Sequence, residues 1–161
     1  MGVGFDPPNG GWFFESRLHQ NSAVKRTIEK LKEKGQTYEK DGALWFASEK
    51  FGDDKDRVLV RESGESTYFA ADIAYHANKF KRGFELLIDI WGTDHHGYVK
   101  RLQSALEALG LPSHKLDIIL GQLVALYRGE ELVRMSKRTG DMITLKEVID
   151  EIGSDAVRFF L

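Results

Sequence analysis

The 161-residue chain has no cysteine, which excludes a disulfide framework and any metal site built on thiolates. It has no apolar run near the ~18 residues that a membrane-crossing helix needs. Residues 1–6 show neither a basic start nor an apolar stretch, so no secretory leader is expected there. An excess of charge of one sign is also missing. The 23 basic and 25 acidic side chains leave a net charge of −2, whereas a protein living on nucleic-acid contacts usually carries a basic excess. Any such contact is therefore expected to be local, or carried by other parts of a larger protein. No internal repeat or low-complexity tract stands out. What is present, 42% apolar and 30% charged residues, fits a soluble, globular, cytoplasmic protein with one real core.

Pro7-Pro8 and Gly10-Gly11 mark a loop, and Trp12, Phe13 and Phe14 follow as an apolar patch wanting cover. Val24, Ile28 and Leu31 lie on one face of a helix over residues 22–34, with Ser22 as its N-cap and Gly35 as its stop. Asp41-Gly42 between residues 38–40 and 43–46 predicts a hairpin with a type I′ turn. A second strand pair is expected over residues 58–61 and 66–69, around a Ser63-Gly64 turn. Residues 70–81 read as a helix and 86–91 as a buried parallel strand. A helix to about Leu109 follows, closed by Gly110, then an apolar, strand-rich segment over 115–127 and a turn at Arg128-Gly129-Glu130. Thr144-x-x-Glu147 is a capping box opening a helix that Gly153 ends, and Ser154-Asp155 suits the start of another. The alternation over residues 86–127 points to an open parallel α/β sheet.

Three segments could carry chemistry. Arg134-Met135-Ser136-Lys137-Arg138-Thr139-Gly140 gathers cations, hydroxyls and a glycine suited to polyphosphate, although a short basic run is also an ordinary solvated turn. Trp91-Gly92-Thr93-Asp94-His95-His96-Gly97 follows the expected parallel strand, at the end where open α/β sheets take ligands. Gly92 allows close approach and Asp94 can accept from both hydroxyls of a ribose. The two histidines are open to three readings: exposed polar residues, metal ligands or nucleotide contacts. In Tyr68-Phe69-Ala70-Ala71-Asp72-Ile73-Ala74-Tyr75-His76, Tyr68 and Asp72 share one helical face. That pair suits a guanidinium or ammonium group; alternatively Tyr68 is core and Asp72 a solvated or capping residue.

Taken in this order, R-M-S-K-R, W-G-T-D-H-H-G-Y and Y-F-A-A-D-I-A-Y-H resemble the class I arginyl-tRNA synthetases. The resemblance spans roughly residues 12–161, with Lys40-Asp41-Gly42-Ala43-Leu44-Trp45 and Gly52-Asp53-Asp54-Lys55-Asp56-Arg57 included. It implies the second half of a Rossmann-like parallel sheet over residues 67–161, preceded by a hairpin-bearing connecting region over 1–66. It implies that Lys137, Ser136 and Arg134 are catalytic, holding ATP phosphates and stabilising charge that passes to pyrophosphate. ATP, accompanied by Mg2+, would be contacted by Gly92, Asp94, His95, Met135 and Lys137. Arginine would be recognised by Tyr68 and Asp72, with His96 near either substrate, and the third partner would be arginine tRNA. No protein-held metal and no membrane contact are implied.

The family's His-x-Gly-His signature is absent: the histidines are His19, His76, His95, His96 and His114. The chain also stops before the family's helical anticodon domain, so an inactive fragment of a ligase is the expectation. Arg138 stands where the general signature has serine, and the stretch from Asp6 to Gly11 departs from the family's more direct path to the tryptophan. Rival readings are another nucleotidyltransferase of the superfamily and a non-catalytic binding paralogue.

Overall fold

The computed structural model describes residues 13–122, 124–133 and 143–160. Contacts divide the chain into two compact units, Trp12–Gly121 and a second that includes Gln122–Leu161. The first begins with helices α1 (Ser16–Gln20) and α2 (Ala23–Glu33). Strands β1 (Thr37–Lys40), β2 (Ala43–Phe46) and β3 (Arg57–Val60) then form an antiparallel sheet in that order. The turn between β1 and β2 is the expected one. Asp41 and Gly42 both have positive φ, 52° and 71°, as a type I′ turn demands.

The charged stretch after β2 folds on itself. Ser48, fully buried, donates its hydroxyl to the Lys55 carbonyl at 2.7 Å, and the Arg57 guanidinium donates twice to Asp53, at 2.8 and 2.9 Å. Burial raises the cost of charge on Asp53, but the bonds from Arg57 and Asp54 outweigh it and hold the carboxyl well below its usual range. A charged loop is thereby made part of the frame.

Helix α3 (Tyr68–Lys81) leads to β4 (Leu87–Gly92), and helix α4 (His96–Ala108) returns the chain to β5 (Leu116–Gly121). The two strands pair in parallel, from Leu87 against Leu116 to Gly92 against Gly121. The core unites Val24, Ile28 and Leu31 of α2, Leu44, Phe46 and Leu59 of the sheet, Phe69 and Ile73 of α3, and Leu102 and Leu106 of α4. Phe13 is covered by Tyr75, with ring centroids 5.0 Å apart, whereas Phe14 is exposed.

In the second unit, β6 (Tyr127–Arg128) and β7 (Glu131–Leu132) form a short hairpin. Helix α5 (Leu145–Ile152) opens with the expected capping box: Thr144 accepts from the Glu147 amide at 3.2 Å and Glu147 accepts from the Thr144 amide at 2.6 Å. Helix α6 is Ser154–Phe160. Among the described residues no helix is long and apolar enough to cross a membrane.

Three local expectations are corrected. Ser22 does not cap α2; it takes a left-handed conformation (φ 56°), and Asn21 Oδ1 accepts from the Ala23 amide at 3.0 Å instead. Residues 66–69 are not a strand. Only Ser66 bridges to Val60, and Thr67 then caps α3, so Tyr68 and Phe69 are helical. The strand over residues 86–91 is not buried throughout. Leu87 is covered, but Ile88, Ile90 and, on β5, Ile119 are 55, 75 and 53% exposed, leaving one sheet face bare.

Candidate functional site

A cleft of about 980 Å³ lies between α3, β4 and the start of α4. Helix α3 supplies Tyr68, Asp72, His76 and Lys79; β4 supplies residues from Ile88 to Trp91; His95, Tyr98 and Arg101 close the far side. A smaller hollow of about 570 Å³, between α2 and the antiparallel sheet, contains none of the residues singled out for catalysis or binding, so the larger cleft is the candidate site.

Thr67 sets the first wall. Its Oγ1 accepts from the Ala70 amide at 3.4 Å and donates to the Val58 carbonyl at 2.9 Å, fixing the start of α3 to the end of β3. From that start, helical spacing carries Tyr68, Asp72 and His76 down one side of α3. Tyr68 is 83% exposed, which rules out the reading of it as core. Asp72 is half-buried, and its Oδ2 accepts from the Tyr98 hydroxyl at 2.5 Å. Burial first, and then the bond to Asp72, push the Tyr98 phenol pKa far up, so this group is a proton donor throughout the neutral range.

Below Asp72 lies a buried ionic cluster. His76 Nδ1 meets the Asp72 carbonyl at 2.8 Å and its Nε2 meets Asp89 Oδ2 at 2.6 Å. The Lys79 ammonium also lies 3.3 Å from Nε2, so His76 touches both members of the Asp89–Lys79 pair. Lys79 donates to Asp89 Oδ1 at 2.8 Å, with its ammonium 4.5 Å from the centre of the Tyr75 ring. Burial opposes the charge of Asp89, yet the hydrogen bonds from His76 and Lys79, with their charges, lower its pKa to about 2. The cluster ties α3 to β4 directly beneath the Asp72 backbone.

At the carboxyl end of β4 the chain turns through Thr93–His95 into α4. A Cβ on Gly92 would stand 2.5 Å from Asp94 Oδ1, so any larger residue there displaces that carboxylate. Asp94 and His95 are exposed, with Oδ2 and Nε2 3.7 Å apart, and His96 is exposed at the first turn of α4. Of the residues singled out by sequence, Tyr68, Asp72 and His95 line the cleft together. Gly92, Asp94 and His96 sit on the adjoining β4–α4 connection and do not line it. Arg134, Met135, Ser136 and Lys137 lie outside the described residues. No group of three or more His, Asp or Glu side chains able to hold a metal ion occurs among the described residues. Sequence reasoning missed Tyr98, His76, Lys79 and Asp89; only the presence of Tyr98 and His76 inside the quoted motifs pointed toward them.

A parallel β–α–β unit with polar residues clustered where β4 ends is the framework of a nucleotide-binding α/β domain. The family described as tRNA synthetases class I (R), catalytic domain, matches residues 13–160. An arginine–tRNA ligase of Carboxydothermus hydrogenoformans is 59% identical over 149 residues, which is 92% of this chain and 27% of that one. An arginine–tRNA ligase of Aquifex aeolicus is 55% identical over 159 residues, 99% of this chain and 27% of that one. A solved Campylobacter jejuni structure, described as an arginyl-tRNA synthetase, superposes with a TM-score of 0.81 at 47% identity, covering 90% of this chain and 31% of that one. The chain belongs to the class I arginyl-tRNA synthetase catalytic-domain family, and spans about a quarter of the length of the curated relatives it matches.

Proposed function

We propose that this chain is the part of an arginyl-tRNA synthetase that receives the arginine side chain and part of ATP. The observation that carries the reading is Asp72: a half-buried carboxylate opening on a cleft, flanked by exposed Tyr68, in a member of this family. Asp72 pairs with the arginine guanidinium and Tyr68 packs on it, with His96 near either substrate. Gly92, Asp94 and His95 contact the adenosine part of ATP, together with Met135. Lys137, Ser136 and Arg134 hold the phosphates and stabilise the charge passing to pyrophosphate, the electrostatic form of catalysis. Magnesium accompanies the nucleotide. The arginyl group then passes from adenylate to arginine tRNA, in the cytoplasm. Residues 1–66 serve as a connecting region and 67–161 as the second half of the catalytic sheet. The chain alone, which holds no His-x-Gly-His, is inactive on this reading.

The test is ATP–pyrophosphate exchange by the full-length protein in the presence of arginine tRNA. Exchange is expected with arginine and with no other amino acid. Asp72→Ala should raise the arginine KM about a hundredfold or more, from the ~3–5 kcal/mol lost when a charge partner is removed, with the ATP KM little changed. Lys137→Ala should slow exchange while leaving arginine binding intact. Exchange that depends on a different acid would overturn the assignment in favour of another adenylating enzyme.

A further inference from the structure

We propose that Tyr98 is the positioning residue for the arginine-binding carboxylate: its hydroxyl pins Asp72 Oδ2 and so fixes the plane in which that carboxylate meets a guanidinium. The proposal rests on Asp72 being the partner of arginine. The main chain at Asp72 is already held, because its carbonyl accepts from His76. What remains free is the side-chain torsion that turns the carboxylate, and the Tyr98 hydroxyl at 2.5 Å removes it.

Tyr98 can do so because its own ring is held on several sides. Phe69 meets it edge-on with centroids 6.0 Å apart, Trp91 does so at 5.7 Å, and the Arg101 guanidinium lies 4.8 Å from the ring centre. These contacts fix the ring, so the hydroxyl cannot swing away. An ionised carboxylate offers about four lone-pair sites, and Tyr98 uses one. Oδ1, which has no hydrogen-bond partner among the described residues, and the remaining side of Oδ2 are enough for the two parallel bonds of a guanidinium fork. A fixed plane favours that fork over an ammonium, which is a point charge indifferent to carboxylate rotation. Tyr98 therefore contributes to the choice of arginine over lysine without touching either.

In the full-length protein, Tyr98→Phe is expected to raise the arginine KM about ten- to hundredfold, the range for losing a hydrogen bond to a charged group, with the ATP KM within about twofold. In an Asp72→Ala background the same change should add nothing. If Asp72→Ala by itself leaves the arginine KM unchanged, the assignment of Asp72 is wrong and this proposal falls with it. If Asp72→Ala raises that KM but Tyr98→Phe does not, Asp72 stands and Tyr98 is overturned as its positioner. Tyr98 is equally overturned if Tyr98→Phe raises both KM values and acts undiminished in the Asp72→Ala background. A variant too unstable to assay is replaced by the unsubstituted protein carrying tyrosine labelled with 13C at Cζ. Arginine should then move the Tyr98 signal and ATP alone should not; a signal indifferent to arginine refutes the proposal.

Discussion

Replacing Asp89 with alanine should destabilise the fold by about 3–5 kcal/mol, the usual cost of removing one partner from a buried ion pair. The Asp89 side chain is 10% exposed and accepts from His76 and Lys79, whose side chains are 5 and 16% exposed. Without Asp89, His76 keeps its bond to the Asp72 carbonyl and its 3.3 Å contact with Lys79, and Lys79 also keeps the face of Tyr75 and a route to water. That residual solvation of Lys79 places the expected value near the lower end, about 3 kcal/mol. The pKa gives an independent measure. A carboxyl lowered from 3.8 to about 2 corresponds to roughly 2 kcal/mol of stabilisation at neutral pH. The sign is that of a depressed acid: the contribution is complete above pH ~4 and is lost as pH falls toward 2. Urea unfolding at pH 7, followed by circular dichroism and by the fluorescence of the three tryptophans, reads the difference directly. Asp89→Asn, which keeps one acceptor but no charge, should cost about half as much. The gap between the unsubstituted protein and Asp89→Ala should narrow between pH 4 and pH 2. A cost below about 1 kcal/mol at pH 7, or a gap unchanged down to pH 2, would refute the argument.

Leu106→Ala removes a fully buried side chain from the core shared by α4 and the antiparallel sheet, and should cost about 2–5 kcal/mol in the same unfolding assay. Thr67→Ala loses a helix cap and a bond to the Val58 carbonyl, with an expected cost of about 1–2 kcal/mol. Its signature is faster hydrogen exchange of the Ala70 and Ala71 amides, with no change at α5.

Features carried by local chemistry were legible in the sequence. Asp41-Gly42 announces a turn because two successive positive φ angles suit few residue pairs, and Thr144 with Glu147 announces a helix start because each satisfies the other's backbone. Residues 66–69 misled because Thr, Tyr and Phe favour strands, whereas the cap that Thr67 makes is a tertiary fact tied to β3. Ser22 misled because the adjacent Asn21 supplies the side-chain acceptor at the helix start, to the Ala23 amide, while Ser22 turns left-handed. An apolar run such as residues 86–91 does not reveal which of its faces is covered. In the site, Tyr68 and Asp72 were legible from their spacing on one helix. Tyr98 lies 26 residues from Asp72, and Asp89 lies 13 from His76, so no periodicity connects them.

The bare face of the parallel sheet has a consequence for handling the molecule. Ile88, Ile90 and Ile119 present branched hydrocarbon to water, and a net charge of −2 supplies little repulsion between copies. Association through such a face is driven by released water, and strengthens on warming from the cold. Solutions of this chain should therefore stay clear longest when cold and dilute, and turbidity should rise with temperature before the core itself gives way.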